Sequence, residues 1–259
     1  MIQFATVFPE EIVVTLSRQL SWSHFIAIIP LKKALQRDFY VEMCRIEKWG
    51  VRTLRSKIDS MLFERTAISK KPDKLIKREL QILREKDQVS TELIFKDPYL
   101  LNFLGLEKTF NEKSLEDAIL IELEKFIIEL GEGFTFIARQ KRIIINDEDF
   151  HIDLLFYHRR LKRMIAVELK LGKFKAAYKG QMELYLRYLE KYEMQPGEES
   201  PLGLILCTEG NKEQIELLQL EKSGIKVAEY LTELPDKKLL KEKLNKAIIV
   251  SKERFEIEK

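Results

Sequence analysis

Three charged side chains lie within two apolar segments that have the alternating pattern of β-strands. Asp153 belongs to the segment 152–157, and Glu168 and Lys170 belong to the segment 164–171. Because successive side chains in a strand point to opposite faces, Glu168 and Lys170 share one face. Buried charges are costly unless they are paired or bind a metal ion. These three residues are therefore the first candidates for chemistry in this sequence.

A short polar connection between the two segments determines how they pair. A tight turn centred on Arg160 and Leu161 predicts that Asp153 lies opposite Glu168. Facing residues in such a pair have Cβ atoms about 4.5–5.5 Å apart, so the two carboxylates repel each other unless a cation lies between them. A divalent ion such as Mg²⁺ would relieve this repulsion, and Lys170 would hold the attacking water or stabilise phosphate charge. The arrangement suits metal-assisted phosphodiester hydrolysis.

The spacing alone also fits a second interpretation, a cross-strand salt bridge on the surface. A Glu-X-Lys triplet is common in a chain of which 34% of the residues are charged. The apolar neighbours favour a covered strand pair instead. These neighbours are Leu154, Leu155, Phe156, Ile165, Val167 and Leu169.

The segments on either side of this pair predict a mixed sheet with helices, an α/β fold with the order α-β-β-β-α-β-α-β. Asn111 or Ser114 is expected to cap the first helix, and residues 146–149 are expected to form a hairpin turn. The expected elements are a helix to 130, a bent strand 134–145, strands 152–157 and 164–171, a helix 176–192, a strand 201–207, a helix 212–220 and a strand 225–230.

The first 95 residues or so have helical periodicity throughout. Helices are expected to begin near Pro9, near Pro30, after Gly50 and near Pro72. The pattern of helix, short turn and helix fits both an ordinary helical bundle and a helix-turn-helix unit that reads duplex DNA. The predicted organisation is a helical domain at 1–100, an α/β domain at 106–236 and a charged tail at 237–259 that is expected to form a solvated helix.

The composition is that of a globular chain with many long charged side chains. The 259 residues carry a formal charge of +3, which permits nucleic acid as a partner without requiring it. No apolar run is long enough to span a bilayer, and no signal peptide is predicted. The two cysteines, Cys44 and Cys207, are expected to be reduced thiols of a cytoplasmic protein.

Three stretches of the sequence resemble a known protein family. D-L-L-F-Y-H at 153–158, E-L-K-L-G at 168–172 and G-L-I-L-C at 203–207 resemble the YhcG-like family of PD-(D/E)XK nucleases. Ile152 stands where the signature has proline. The resemblance implies a restriction-endonuclease-like αβββαβ core and covers nearly the whole chain. S-W-S-H-F at 21–25 resembles the later part of that family's helical N-terminal domain, which implies a shortened version of it here.

The resemblance also implies roles for particular residues. Asp153, Glu168 and the Leu169 carbonyl would bind Mg²⁺ or Mn²⁺, and Lys170 would orient the nucleophilic water. An acid from the preceding helix would complete the set directly or through water, with Glu116 and Glu122 as the candidates. The family's Leu-Glu-Asp-Ala stretch corresponds to residues 115–118 and favours Glu116.

Further site residues are expected on neighbouring elements. Gln181 and Tyr185 lie four residues apart on one helix face and resemble the Gln-X-X-X-Tyr element of RecB-like nucleases. Gln181 would hold a DNA phosphate or a metal-bound water, and Tyr185 would support the site and contact the nucleic acid. Gln140 is a weaker candidate for contacts with the nucleic-acid backbone. The alternative for each is an ordinary polar or half-buried position on its element.

Basic and histidine side chains flank the strand that carries Asp153. Arg159, Arg160 and Arg163 form a basic turn that is either solvated or clamps phosphates next to the cleft. His151 and His158 are expected near the cleft, within reach of substrate.

The expected function is thus a metal-dependent nuclease acting on DNA in the cytoplasm. Two alternatives stay open: a nucleic-acid-binding or assembly module without catalysis, and a protein-interaction subunit of a repair or defence complex. A homodimer or a larger complex of that kind is the expected assembly. No membrane partner is expected.

Overall fold

The computed structural model describes residues 20–106 and 109–257, which fall into two compact units. The described residues up to Leu93 and those from Lys238 onward form a helical unit, and Ile94–Lys237 form an α/β unit. The helix expected near Pro9 lies outside the described residues. Within the described part of the chain, no helix is both long enough and apolar enough to cross a membrane.

Up to Ile94, the described residues contain six helices and a 3-10 turn at Ala67–Lys70. The helices are α1 (Trp22–Ile28), α2 (Ala34–Glu47), α3 (Val51–Asp59), α4 (Leu62–Arg65), α5 (Asp73–Lys86) and α6 (Thr91–Ile94). The expected breaks at Gly50 and Pro72 are confirmed, since each precedes a helix directly. The helix expected at Pro30 begins at Ala34 instead. The Arg37 guanidinium donates to the Leu31 carbonyl at 2.6 Å, which holds the preceding segment out of the helix.

A last helix, α11 (Lys237–Ile257), completes the helical unit. The helix expected here is confirmed, but it is not solvated on all sides, since Leu240, Leu244 and Ile248 are buried at helical spacing. Lys252 is paired with Asp73 of α5. The segment is therefore a packed amphipathic helix whose polar residues dominate its composition.

The α/β unit contains a six-stranded mixed sheet with the strands β1 (Tyr99–Leu100), β2 (Phe134–Ile145), β3 (Glu148–His158), β4 (Arg163–Lys173), β5 (Leu202–Glu209) and β6 (Ile225–Leu231). Their order in the sheet is β1-β6-β5-β4-β3-β2. The pairs β2–β3 and β3–β4 are antiparallel, and the pairs β4–β5, β5–β6 and β6–β1 are parallel. The predicted α/β fold with its mixed sheet is confirmed.

Four helices accompany the sheet: α7 (Glu112–Ile121), α8 (Leu123–Leu130), α9 (Ala177–Tyr192) and α10 (Lys212–Leu217). Asn111 caps α7, because its side chain accepts the Ser114 amide hydrogen at 2.7 Å. The single helix expected up to residue 130 is interrupted at Glu122. Strand β1 was not expected, since two apolar residues beside Asp97-Pro98 carry no periodic signal; it pairs with the end of β6.

The strands that carry the candidate residues are covered on both faces. One face packs in a cluster with α7 and α8 that includes Val167, Phe156 and Phe126. The other face packs with α9 in a cluster that includes Ala166 and Met182. Burial on both faces explains why the paired parts of the two strands, 154–157 and 164–167, are apolar.

The turn between β3 and β4 sets the register that the sequence predicts. His158 pairs with Arg163 and Leu154 pairs with Val167, so Asp153 comes next to Glu168. His158 itself was expected near substrate, but it is fully buried, its Nδ1 accepting the Leu161 amide hydrogen at 3.1 Å. Burial lowers the pKa of His158 to about 4.

The buried imidazole predicts a loss of stability in acid. The unfolded chain takes up a proton near pH 6.5 that the folded protein binds only near pH 4, so protonation favours unfolding below neutral pH. Between pH 7 and pH 5 this should remove about 2 kcal/mol from the free energy of unfolding. Urea unfolding of the wild type and His158→Gln at both pH values checks it. The free energy of unfolding should depend less on pH in the variant than in the wild type. An equal change with pH in both proteins would contradict the assignment of the effect to His158.

The packing of α11 predicts that substitution of two leucines of this helix lowers the free energy of unfolding by different amounts. Leu244 is 4% exposed and Leu239 is 47% exposed, so the same substitution probes burial alone. Leu244→Ala should lower the free energy of unfolding by about 2–5 kcal/mol. Leu239→Ala should change it by no more than about 0.5 kcal/mol. Thermal unfolding followed by circular dichroism measures both, and similar values for the two would show that α11 is not packed this way.

Candidate active site

The candidate site forms where β3 and β4 stop pairing through their backbones. Beyond the Leu154–Val167 pair, side chains replace the backbone ladder. The Asp153 amide donates to Glu168 Oε1 at 3.2 Å, and the Leu169 amide donates to Asp153 Oδ2 at 2.9 Å. Each carboxylate therefore accepts a hydrogen bond from the opposite strand, which holds the two acids at one point. The proximity of Asp153 and Glu168 that the sequence predicts is confirmed.

Burial gives this pair unusual electrostatics. Glu168 is 2% exposed, and burial together with the charge of Asp153 raises the pKa of Glu168 to about 7. Burial also raises the pKa of Asp153. Lys170 Nζ lies 2.9 Å from Glu168 Oε2; burial opposes its charge, but the nearby Glu168 prevails and raises the pKa of Lys170. A single ammonium thus faces two carboxylates.

Helix α7 adds a third acid to the cluster. Glu116 is buried, and its Oε2 accepts a hydrogen bond of 2.8 Å from Gln140. Burial raises the pKa of Glu116. Glu122, the other candidate from the sequence, lies at the break between α7 and α8 and pairs with Lys125 at 2.7 Å. The structure brings Glu116 to the cluster and leaves Glu122 outside it.

Gln140 enters the cluster from the edge strand β2. Its neighbours Arg139 and Lys141 pair with Leu154 and Ile152, so Gln140 lies opposite Asp153. Its side-chain Nε2 donates to Asp153 Oδ1 at 3.0 Å as well as to Glu116. The sequence predicts a nucleic-acid contact for this residue, whereas the structure shows it bound to two of the acids.

Gln181 and Tyr185 of α9 reach the site from the other face of the sheet. Gln181 Nε2 donates to the Tyr185 hydroxyl at 2.7 Å and lies 3.4 Å from Glu168 Oε2. The Tyr185 side chain is almost completely buried. Tyr185 therefore supports Gln181 from within the protein, and its ring offers no surface to a nucleic acid.

The basic turn after β3 does not join the cluster. Five residues of extended strand, about 17 Å, separate Asp153 from His158, where the turn begins. Arg163 Nη2 lies 3.5 Å from Glu199. Arg159 and Arg160 lie on the same turn. The three arginines of this turn therefore lie away from the acids, and their contact with phosphates stays a prediction.

A cleft of about 380 Å³ opens beside the acids, and it includes residues that the sequence analysis did not select. Glu112 accepts the Leu171 amide hydrogen at 3.0 Å, and Arg139 Nε lies 3.0 Å from Glu116 Oε1. Glu112 precedes Glu116 by one helical turn, a spacing that could have revealed it. The cleft is lined by Glu112, Lys113, Glu116, Arg139, Gln140, Asp153 and Leu169.

The side chains of the site suit a hard divalent ion with an open coordination shell. Among the described residues, no three His, Cys, Asp or Glu side chains are close enough to enclose a metal ion. Mg²⁺ is typically bound by one or two carboxylates with waters and substrate phosphates, so it does not need such a cage. The raised pKa values of Asp153, Glu168 and Glu116 show that burial makes their ionised forms costly, a cost that a nearby cation would lower.

Comparisons with known proteins agree with this geometry. Residues 92–245 match the family described as YhcG PDDEXK nuclease domain, and residues 1–65 match the DUF1016 N-terminal domain. A curated relative from Escherichia coli (strain K12), named "Putative nuclease YhcG", is 34% identical over 234 residues. The match covers 90% of this chain and 62% of that protein, so the chain spans less than two thirds of its relative's length.

Two solved structures also resemble parts of the chain. A repair endonuclease from Pyrococcus abyssi is 25% identical with a TM-score of 0.34, over 50% of each chain. The structure of an EndoMS–dsDNA2 complex is 20% identical with a TM-score of 0.35, over 50% of this chain and 49% of the other. Similarities with TM-scores this low support no conclusion about this chain. The family match spans more than half of the chain and includes the acidic cluster, and on that basis the chain belongs to the YhcG family of PD-(D/E)XK nucleases.

Proposed function

We propose that this protein is a Mg²⁺- or Mn²⁺-dependent nuclease that hydrolyses DNA phosphodiester bonds with water. The observation that carries the proposal is the meeting of Asp153, Glu168 and Lys170 where β3 and β4 part. Membership of a nuclease family supports the reaction class. The metal ion, the choice of DNA and the residue roles are the parts proposed here.

Asp153, Glu168, the Leu169 carbonyl and Glu116, directly or through water, would hold the ion. When bound, a divalent ion lowers the pKa of water and stabilises charge on the phosphate. The chain's contribution is to fix these groups before substrate arrives. The exchanged hydrogen bonds between β3 and β4 orient the two strand acids, and burial of Glu168 keeps bulk water away from it.

Lys170 would orient the attacking water and stabilise the negative charge that develops on the phosphate. Its raised pKa favours the ammonium form, which suits charge stabilisation. Gln181, held by the Tyr185 hydroxyl, would assist beside Glu168.

Positive side chains at and beyond the cleft support a DNA backbone as partner. Lys113 and Arg139 line the cleft. Arg159 and Arg160, about 17 Å along β3, would contact phosphates further along a duplex, and Arg163 would join them. A homodimer would bring two such sites to the two strands. The free buried thiols of Cys44 and Cys207 support a reducing compartment, the cytoplasm.

Cleavage of plasmid and linear DNA tests the proposal. The wild type should cut DNA with Mg²⁺ or Mn²⁺ and stop when EDTA is added. Asp153→Ala and Lys170→Ala should lower the rate by about 100-fold or more, because each removes a group that acts on the reacting phosphate or its ion. Equal cleavage by all three proteins would exclude this site as the source of activity.

A matched pair of substitutions tests the acid from the helix. Glu116→Gln should lower the rate of cleavage by about 10–100-fold, since it removes one charge from the ion's surroundings. Glu122→Gln makes the same change in the same stretch of helix, but outside the cluster, and should leave the rate within about twofold of the wild type. If Glu122→Gln lost more cleavage activity than Glu116→Gln, Glu122 would be the acid from the helix. DNA binding without Mg²⁺ or Mn²⁺ uptake would favour a module without catalysis.

A further inference from the structure

Gln140 has a backbone conformation that is rare for residues other than glycine. Its φ is +44° although it lies inside β2, opposite Asp153. Residues other than glycine keep such a left-handed conformation only where the surrounding structure holds them in place. A register shift between Phe136 and Ala138 precedes it, so the strand changes its course just before this residue. The edge strand β2 therefore departs from regular strand geometry at Gln140, next to the site.

The Gln140 amide joins two acids that come from different elements. Its Nε2 lies 2.8 Å from Glu116 Oε2 on α7 and 3.0 Å from Asp153 Oδ1 on β3. Ionised carboxylates only accept hydrogen bonds, so the amide nitrogen must face both of them. An amide nitrogen carries two hydrogens, and this geometry engages both. Little donor capacity is left for a phosphate, which argues against the direct DNA contact expected from the sequence.

A different side chain faces the other carboxylate oxygen of Glu116. Arg139 Nε lies 3.0 Å from Glu116 Oε1, and its Nη2 lies 3.1 Å from Asp117. Arg139 is 43% exposed along its side chain, so it supplies charge from the solvent side. Gln140 instead orients Glu116 relative to Asp153. Of the two side chains Arg139 and Gln140, only Gln140 also contacts Asp153 among the contacts described.

We propose that Gln140 is a positioning residue that makes Glu116 and Asp153 act as one ligand pair for the divalent ion. This inference rests on the proposed function, because the pair matters only if the site binds that ion. Without the amide, two partly buried acids would lose their common donor and separate. Groups that orient metal ligands typically change metal affinity or activity by about 10–100-fold when they are removed.

Metal titration of Gln140→Met tests the proposal. Methionine keeps the length of the side chain but has no donor. The dissociation constant for Mn²⁺, measured by calorimetry without DNA, should rise by about 10–100-fold, while the KM for DNA stays within about twofold. Lys141→Met is the matched control, since Lys141 is the next residue on β2 and pairs with Glu193 at 2.9 Å, outside the cluster. It should leave the Mn²⁺ constant unchanged.

Two outcomes would overturn the proposal. An unchanged or lower Mn²⁺ dissociation constant in Gln140→Met would show that the amide does not prepare the pair for the ion. A raised KM for DNA with normal Mn²⁺ binding would show that Gln140 contacts DNA.

A readout without metal separates this inference from the proposed function. The side-chain amide resonances of Gln140 in a ¹⁵N–¹H spectrum, assigned by their absence in Gln140→Met, should shift in both Glu116→Gln and Asp153→Asn. A response to neither substitution would exclude the bridge, even if the wild type binds Mn²⁺. If the wild type takes up no Mn²⁺, the metal-dependent function fails and the ligand-pair role fails with it, while the spectrum still decides whether the bridge exists.

Discussion

The exchange of hydrogen bonds between β3 and β4 is the interaction on which the rest of the site depends. Backbone pairing ends at Leu154 and Val167, and Asp153 and Glu168 then accept hydrogen bonds from the opposite strand. Backbone amides that lose their ladder partners inside a protein need other acceptors. The two acids satisfy that need and are oriented by it. The end of strand pairing thus positions the two acids of the candidate site.

Burial makes the same arrangement electrostatically costly, and neighbouring elements reduce that cost. Lys170 faces Glu168 from the same strand, and Gln140 faces Asp153 from the edge strand. The raised pKa values of both acids show that these partners do not fully balance the burial of charge. Buried acids beside an open cleft therefore support the proposal of a divalent cation at this site.

The sheet provides the rigid frame that this chemistry requires. Central strands covered on both faces hold Asp153, Glu168 and Lys170 with little freedom. Helix α7, capped by Asn111, brings Glu116 to one side, and α9 brings Gln181 to the other. Each side chain of the cluster therefore comes from an element whose own packing is independent of the site, so the geometry exists before a substrate binds.

The sequence by itself determined what is local to the hairpin. Alternation in β3 and β4 and a short turn between them are enough to place Asp153 opposite Glu168, because a two-residue period and a tight turn leave one register. Only the tertiary structure decided which acid of the helix joins them, since Glu116 and Glu122 look alike until α7 breaks at Glu122. The same is true of the Gln140 bridge, the short strand β1 and the packing of α11. These contacts join elements far apart in sequence, and no local period encodes which distant surface a side chain meets.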